Sequence, residues 1–513
     1  MTTHDFVVVG AGSSGCALAY RLVQSNARVL LIEAGGRDEL AEIHAEQLPS
    51  TMSLWSNPAV NWGYVTEPQP ALHDRRIPVA RGRVWGGCSS INAMLHVRGS
   101  RFDFDHWNQL GNEGWSYADI LPLFIRMENF DAWVSAQRGR DGPLPVIVHA
   151  DPTPVSECLF EAAVGLGFDD RGRSFDYNGP TQCDSPFYYQ TNKTHAHNRA
   201  SEAVAYLYPI LDAPNFTIIS NAQVSRIKFQ GTRAVGVEYV RDGRTEEATA
   251  ESEVVVACGT YESPKLLMLS GIGPAETLDN HQLSVLVDLP GVGQNLQDHM
   301  ILGVCYLSKQ EHPFVPTLIA ETGIFTHSRA GLSAAAPDLQ IKFGGLKFIA
   351  PELDRPGPGF TFAPVVIQPQ SVGYVSLRSG DYRDLAVLQP NYLSCETDIE
   401  VFVRGIELSR DLAAAPALAA FTGDELAPGP GARSPAELRE FVRRNASTLW
   451  HPVGTCRMGR DRMAVVDPQL RVYGTQGLRI ADASVMPKIV AGNTNAACVM
   501  IGEKAADLIL QAQ

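Results

Sequence analysis

The chain has 513 residues, 45% of them hydrophobic and 19% charged, with a formal net charge of −14 at pH 7. That length leaves room for about two to four domains with ample cores. The acidity argues against nucleic acid or an anionic membrane surface as partner, and no apolar run approaches the roughly 20 residues of a membrane span.

Met1 to His4 leads directly into the first predicted strand, which leaves no room for a cleavable signal. That strand, over 6–9, is followed by Gly10-Ala11-Gly12-Ser13-Ser14-Gly15 and a helix, and a second strand over 28–32 ends in Glu33. Gly10 permits a tight turn, Gly12 lets the backbone approach a pyrophosphate, and Gly15 lets the helix sit close to the sheet. The helix N-terminus offers free N–H groups to phosphates, and Glu33 is placed to take the adenosine ribose hydroxyls. The Glu33-Ala34-Gly35 ending does not decide between FAD and NAD.

Strands are predicted over 216–219, 224–229, 234–240 and 254–257, followed by a helix over 263–269. From about 300 to 445 the pattern is irregular, with Pro/Gly-rich loops over 351–364 and 427–435 and sheet-like stretches over 373–377 and 385–388. The fold class predicted is α/β: a Rossmann-like nucleotide-binding domain (1–154, 211–300 and 446–513) interleaved with a smaller α+β domain (155–210 and 301–445). Nine scattered cysteines form no CxxC pair and no zinc spacing, so no metal site is expected; their odd number fits reduced thiols in a cytoplasm.

Three further stretches stand out. Arg81-Gly82-Arg83-Val84-Trp85-Gly86-Gly87-Cys88-Ser89-Ser90-Ile91-Asn92 is one, and the run from Gly259-Thr260-Tyr261-Glu262-Ser263-Pro264 to Gly271-Ile272-Gly273 is the second. The tail holds Trp450-His451-Pro452-Val453-Gly454-Thr455, Ala481-Asp482-Ala483-Ser484 and Gly492-Asn493-Thr494-Asn495. With the N-terminal glycines these motifs resemble, from end to end, the glucose–methanol–choline family of FAD-dependent oxidoreductases. Within it the chain looks closest to the choline and medium-chain alcohol dehydrogenase and oxidase branch.

The resemblance implies oxidation of a primary alcohol to an aldehyde, with hydride passing to flavin N5 and reoxidation by oxygen or another acceptor. His451 is the implied base, since imidazole titrates near neutrality, and Pro452 restricts His451 to an extended backbone. Asn493 stands at the second catalytic position, where its amide can donate to a developing alkoxide. Implied cofactor contacts are Gly10, Gly12, Ser13, Ser14, Gly15, Glu33, Ala34, Trp62, Arg81, Gly82, Gly86, Gly87, Ser90, Asn92, Ala93, Met94, Val224, Trp450, Asp482, Ala483, Thr494 and Asn495. For several the plain alternative is structural: Asp482 as a helix cap, Val224 as a strand residue, Trp62 as core.

Two departures matter. Choline oxidase-like members carry a flavin-bonded histidine where this chain has Ile91, which implies non-covalent FAD. They carry serine where this chain has Ala93, and no trimethylammonium cage stands out; Phe343, Phe348, Phe360 and Phe362 read as core or loop packing. A modest primary alcohol, aliphatic, aromatic or heteroaromatic, is therefore expected rather than choline. The alternatives are a non-redox FAD-containing lyase similar to hydroxynitrile lyases, since one fold hosts many chemistries, and a nicotinamide-dependent dehydrogenase.

Overall fold

The computed structural model describes residues 3–148, 152–313, 315, 318–332 and 335–512. Met1 and Thr2, read above as a direct lead-in to the first strand, lie outside them. Two sheets organise the chain. The first is built from β1 (His4–Val9), β2 (Val29–Ile32), β3 (Phe216–Ile219), β4 (Ala222–Gln230), β5 (Arg233–Arg241), β6 (Arg244–Val256) and β7 (Leu478–Ile480). Its parallel part runs β7-β6-β1-β2-β3. Val7, Val8, Val254, Val255 and Val256 are wholly buried, the continuous apolar run of parallel strands covered on both faces. β4, β5 and the first half of β6 add an antiparallel meander. The sequence reading found only the end of β6, because the first half (Arg244-Thr245-Glu246-Glu247) is exposed and polar.

Three helices frame this sheet: α1 (Ser13–Gln24), α2 (Gly259–Leu269) and α3 (Asn495–Leu510). α3 packs so tightly on α1 that a Cβ on Gly502 would lie 2.3 Å from the Ser14 carbonyl oxygen. α2 begins four residues before the predicted 263, and Pro264 stands inside it. Proline has no N–H, so the Thr260 carbonyl is released from the helical ladder; it accepts instead from the Thr455 hydroxyl at 2.6 Å.

The region 300–445 is far more regular than its sequence suggests. Thr422–Ala427, Val304–Ser308, Gly359–Val366, Leu339–Gly344, Thr322–Thr326 and Pro186–Tyr188 lie side by side in an antiparallel sheet. Met300–Ile301 and Ser447–Thr448 extend it. The two stretches that looked like sheet pair with each other instead, as a separate hairpin of Tyr374–Ser376 with Val387–Gln389. One face of the large sheet carries Leu339, Ile341, Phe343, Phe360 and Phe362 into a core with Ile399, Phe402 and Ile406 of the helix Glu396–Ala414. The other face, with Lys342 opposite Ala363 and Gln340 opposite Val365, is turned toward the first layer.

Candidate active site

One continuous cavity runs between the two layers. At one end it is lined by Gly10, Gly12, Ser13, Ser14, Glu33, Ala34 and Val224, and at the other by Lys342, His451 and Asn493. The glycines at its first end do different jobs. Gly10 has φ +102° and a Cβ there would meet the Ala257 carbonyl oxygen at 2.5 Å; a Cβ on Gly15 would meet the Gly10 carbonyl oxygen at 2.0 Å. Gly12 has ordinary backbone, and a Cβ on it would touch nothing. Gly10 and Gly15 are thus demanded by the protein itself, whereas Gly12 keeps open the space at the helix start. No side chain caps α1, so its first-turn amides remain available to an anion. Glu33, pushed up by burial, accepts from the amides of Ala11 at 2.9 Å and Gly35 at 2.8 Å. An uncapped helix start, an open Gly12 and a cavity long enough to reach the second sheet fit an extended dinucleotide such as FAD.

Midway, the turn carrying Gly87, Asn92, Ala93 and Met94 forms a wall. A Cβ on Gly87 would meet the Gly12 Cα at 2.8 Å, so this turn lies directly on the first one. Buried Arg199 clamps it, donating to the carbonyl oxygens of Ser89 at 3.0 Å and Asn92 at 2.6 Å and to Asn92 Oδ1 at 3.0 Å. Met94 and Trp450 both hold left-handed backbone, φ +61° each, a conformation that persists for bulky residues only where the surroundings impose it. The Asn92 carboxamide oxygen receives the Met94 amide at 2.9 Å, and the Trp450 carbonyl receives Arg81 Nη2 at 2.5 Å.

The far end is an ordered chain of polar groups. Asp298, buried between the layers, accepts from the Tyr392 and Thr448 hydroxyls and from the His451 amide at 2.8 Å. His299 Nε2 lies 3.1 Å from the Ile367 carbonyl oxygen, and its Nδ1 lies 3.0 Å from His451 Nδ1. A carbonyl only accepts, so His299 carries its proton on Nε2 and its Nδ1 is an acceptor. His451 must then donate from Nδ1, which leaves His451 Nε2 unprotonated, an acceptor.

The other side of the ring gives the same answer. Lys342 Nζ lies 3.1 Å from Asn493 Oδ1, and Asn493 Nδ2 lies 3.2 Å from His451 Nε2. An ammonium has no acceptor, so the Asn493 oxygen faces Lys342 and its NH₂ faces His451. Burial, then the nearby His299, Lys342 and Arg81, hold His451 well below the usual imidazole range. Burial brings His299 down to about 3. His451 is half-buried and lines the cavity.

A profile of GMC oxidoreductases matches residues 4–301 with its N-terminal part and residues 369–502 with its C-terminal part. The chain belongs to the GMC oxidoreductase family. It is 40% identical to mitochondrial choline dehydrogenase of Mus musculus, over 99% of this chain and 89% of that protein. It is 36% identical to the alcohol dehydrogenase [acceptor] of Pseudomonas putida, over 99% and 96%. Among solved structures, pyridoxine 4-oxidase from Mesorbium loti superposes with a TM-score of 0.92 at 32% identity, covering 98% of this chain and 99% of that one. The fold is the α/β GMC fold, and the protein is an FAD-dependent oxidoreductase acting on CH–OH groups. None of these three relatives is a lyase.

In this GMC oxidoreductase most of the sequence-derived site residues do line the cavity, Trp62, Arg81, Gly82, Val224, Asp482, Ala483, Thr494 and Asn495 included. Three do not. Gly15 is pressed against Gly10, Gly86 against Ser89 and Ser90, and the Ser90 hydroxyl turns inward to the Trp85 carbonyl at 2.5 Å; they shape the wall from behind. Asp482 combines both readings: it caps the short helix Ala483–Val485 through the Ser484 amide at 2.8 Å and also receives the Gly259 amide at 2.9 Å and the Ser263 hydroxyl at 2.5 Å. Asn495 accepts from Ser13 Oγ at 2.7 Å and donates to Glu202 at 2.8 Å. Phe348 lines the cavity rather than packing only in a loop.

Sequence reasoning missed Asp298, His299, Lys342 and Arg199. A signal existed for two sets of them. Asp298-His299 is an acid–imidazole pair following a glycine turn, and Leu339-Gln340-Ile341-Lys342-Phe343 alternates apolar and polar with period two.

Proposed function

We propose that the protein oxidises a primary alcohol of modest size to its aldehyde, using FAD held without a covalent bond. The observation that carries this reading is the unprotonated His451 Nε2, which faces the cavity beside the Asn493 amide and whose tautomer is fixed by His299. FAD, when bound, supplies a hydride acceptor at its N5. His451 Nε2 takes the hydroxyl proton, while Asn493 Nδ2, already aimed at the same point, donates to the alcohol oxygen as negative charge grows there. Asp298 and His299 hold the ring in that orientation. The alcohol would thus lose its hydroxyl proton to His451, and bound FAD would supply the acceptor for the hydride, with oxygen or another acceptor taking the electrons.

Ile91 supports non-covalent attachment: its side chain is buried in an apolar cluster with Val60 and Trp450 and offers no nucleophile. Ala93 and the apolar surround support an aliphatic, aromatic or heteroaromatic alcohol over choline. Among the described residues no helix is long and apolar enough to cross a membrane; the nine free cysteines support a reducing, cytoplasmic setting. The test is anaerobic visible absorbance of the purified protein with a panel of primary alcohols. Bleaching of the oxidised flavin band is the expected result, and a band that no alcohol bleaches sinks the reading. Acid precipitation should release the flavin into the supernatant; flavin retained in the pellet rules out non-covalent binding.

A further inference from the structure

The Lys342 side chain has a setting that alcohol oxidation alone does not explain. It sits on the cavity face of Leu339–Gly344, next to the catalytic pair, and is only 5% exposed. Two neutral groups hold it, Asn493 Oδ1 at 3.1 Å and the Tyr189 hydroxyl at 3.4 Å, with the ammonium also 5.0 Å from the centre of the Tyr189 ring. Among the described residues no carboxylate pairs with it. An ammonium has three N–H donors, so one remains for a group in the cavity. The surrounding wall is apolar, with Leu95, Ile301, Ala320, Phe348, Ala363 and Leu449, and a charge there is costly unless paired.

Resting on the alcohol-oxidising reading above, we propose that Lys342 determines the substrate class: it binds an anionic oxygen, a carboxylate or an ionised phenol, carried by the alcohol close to its carbinol carbon. The geometry sets that closeness. Asn493 spans the two points, with its NH₂ beside His451 Nε2, where the reacting hydroxyl must come, and its oxygen on Lys342. A substrate that reaches His451 Nε2 with its hydroxyl therefore presents its neighbouring atoms to the ammonium. A quaternary ammonium alcohol would meet like charge in an apolar pocket and is disfavoured. Burial lowers Lys342 to about 7, and an anion beside it restores the charged form. The same anion offsets the field by which Lys342 depresses His451, so binding the substrate raises the proton affinity of the base that must act on it.

The experiment uses the FAD-loaded enzyme and its Lys342→Met and Lys342→Arg variants. Benzoate and benzyltrimethylammonium, which cannot be oxidised at a carbinol, are titrated against the flavin absorbance. Kinetics compare the 2-, 3- and 4-(hydroxymethyl)benzoates with benzyl alcohol. A charge-assisted hydrogen bond corresponds to about tenfold or more in binding. The expected result is that benzoate binds the wild type about tenfold or more tighter than the Met variant, with benzyltrimethylammonium in the reverse order. The ratio of kcat/KM for the best carboxylate alcohol to that for benzyl alcohol should fall by a similar factor, and Lys342→Arg should keep most of it. Benzoate affinities equal within about twofold in wild type and Met variant, or an unchanged ratio, overturn the assignment.

If the Met variant does not retain FAD, the wild type answers alone: benzoate affinity should weaken as pH rises through about 7. The other titratable groups facing Lys342 are Tyr189, raised by burial, and His299 and His451, both lowered by burial, so none of them changes charge in that window. An affinity flat across it overturns the proposal. Lys342-dependent benzoate binding with no alcohol able to bleach the flavin supports the anion site and sinks the alcohol-oxidising reading instead.

Discussion

The two ends of the cavity are built by opposite means. The end beside α1 is made from backbone: turn glycines, uncapped amides and a carboxylate that is itself held by amides. Val224 aside, its parts lie within 25 residues of one another, from Gly10 to Gly35. The end beneath the antiparallel sheet is made from side chains, and His299, Lys342, His451 and Asn493 come from four separated stretches of chain. A backbone site binds what is constant, the cofactor; a side-chain site can be altered residue by residue. On the proposal above, substrate choice resides at the second end, where one alternate position on one strand carries Lys342.

The sharpest way to break this division is at the base. His451→Ala should retain FAD and reduce it with alcohol about a hundredfold or more slowly, measured by anaerobic stopped-flow; near-normal reduction removes His451 from the chemistry. At the other end, Gly12→Val should fold, because its Cβ meets nothing and φ is −82°, yet bind FAD about tenfold or more weakly. FAD occupancy read beside the melting temperature of the apoprotein separates these effects. Gly15→Ala, with its Cβ 2.0 Å from a carbonyl oxygen, should instead lower the melting temperature.

A smaller change is expected at the support of the base. His299→Phe removes the acceptor of His451 Nδ1–H, and losing about one hydrogen bond should slow flavin reduction by about tenfold without releasing FAD. Full activity there would mean that something else fixes the tautomer. The smallest effect is a shift in pH profile. Lys342 is one of the positive charges that lower His451, so in Lys342→Met the acidic limb of kcat/KM should move to higher pH. A limb that stays in place, or moves down, shows that Lys342 does not act on the base.

What was legible in the sequence follows the same division. The turn at Gly10–Gly15, the strand before it and Glu33 are adjacent in the chain, so their spacing alone places them. His451 and Asn493 were found through their motifs. The second sheet was read as irregular because its strands are short and its loops rich in proline and glycine. Leu339–Gly344 does alternate, but period two reports only that two faces differ; it cannot say that the polar face covers a cavity rather than water. Arg199 was invisible for another reason: its partners, the carbonyl oxygens of Ile43, Ser89 and Asn92 and the side chains of Asn92 and Thr51, lie at least 107 residues away in the chain.

Pro264 leaves one carbonyl of α2 with room for two partners. Any residue with an amide at 264 would be a better helix former and could close the bond to the Thr260 carbonyl that proline leaves open. The Thr260 carbonyl has two lone pairs, so the Thr455 hydroxyl, which fastens the loop carrying His451 to the start of α2, stays on it beside such an amide. Replacing Pro264 by a residue with an amide should therefore raise the melting temperature while leaving the Thr455 tie in place.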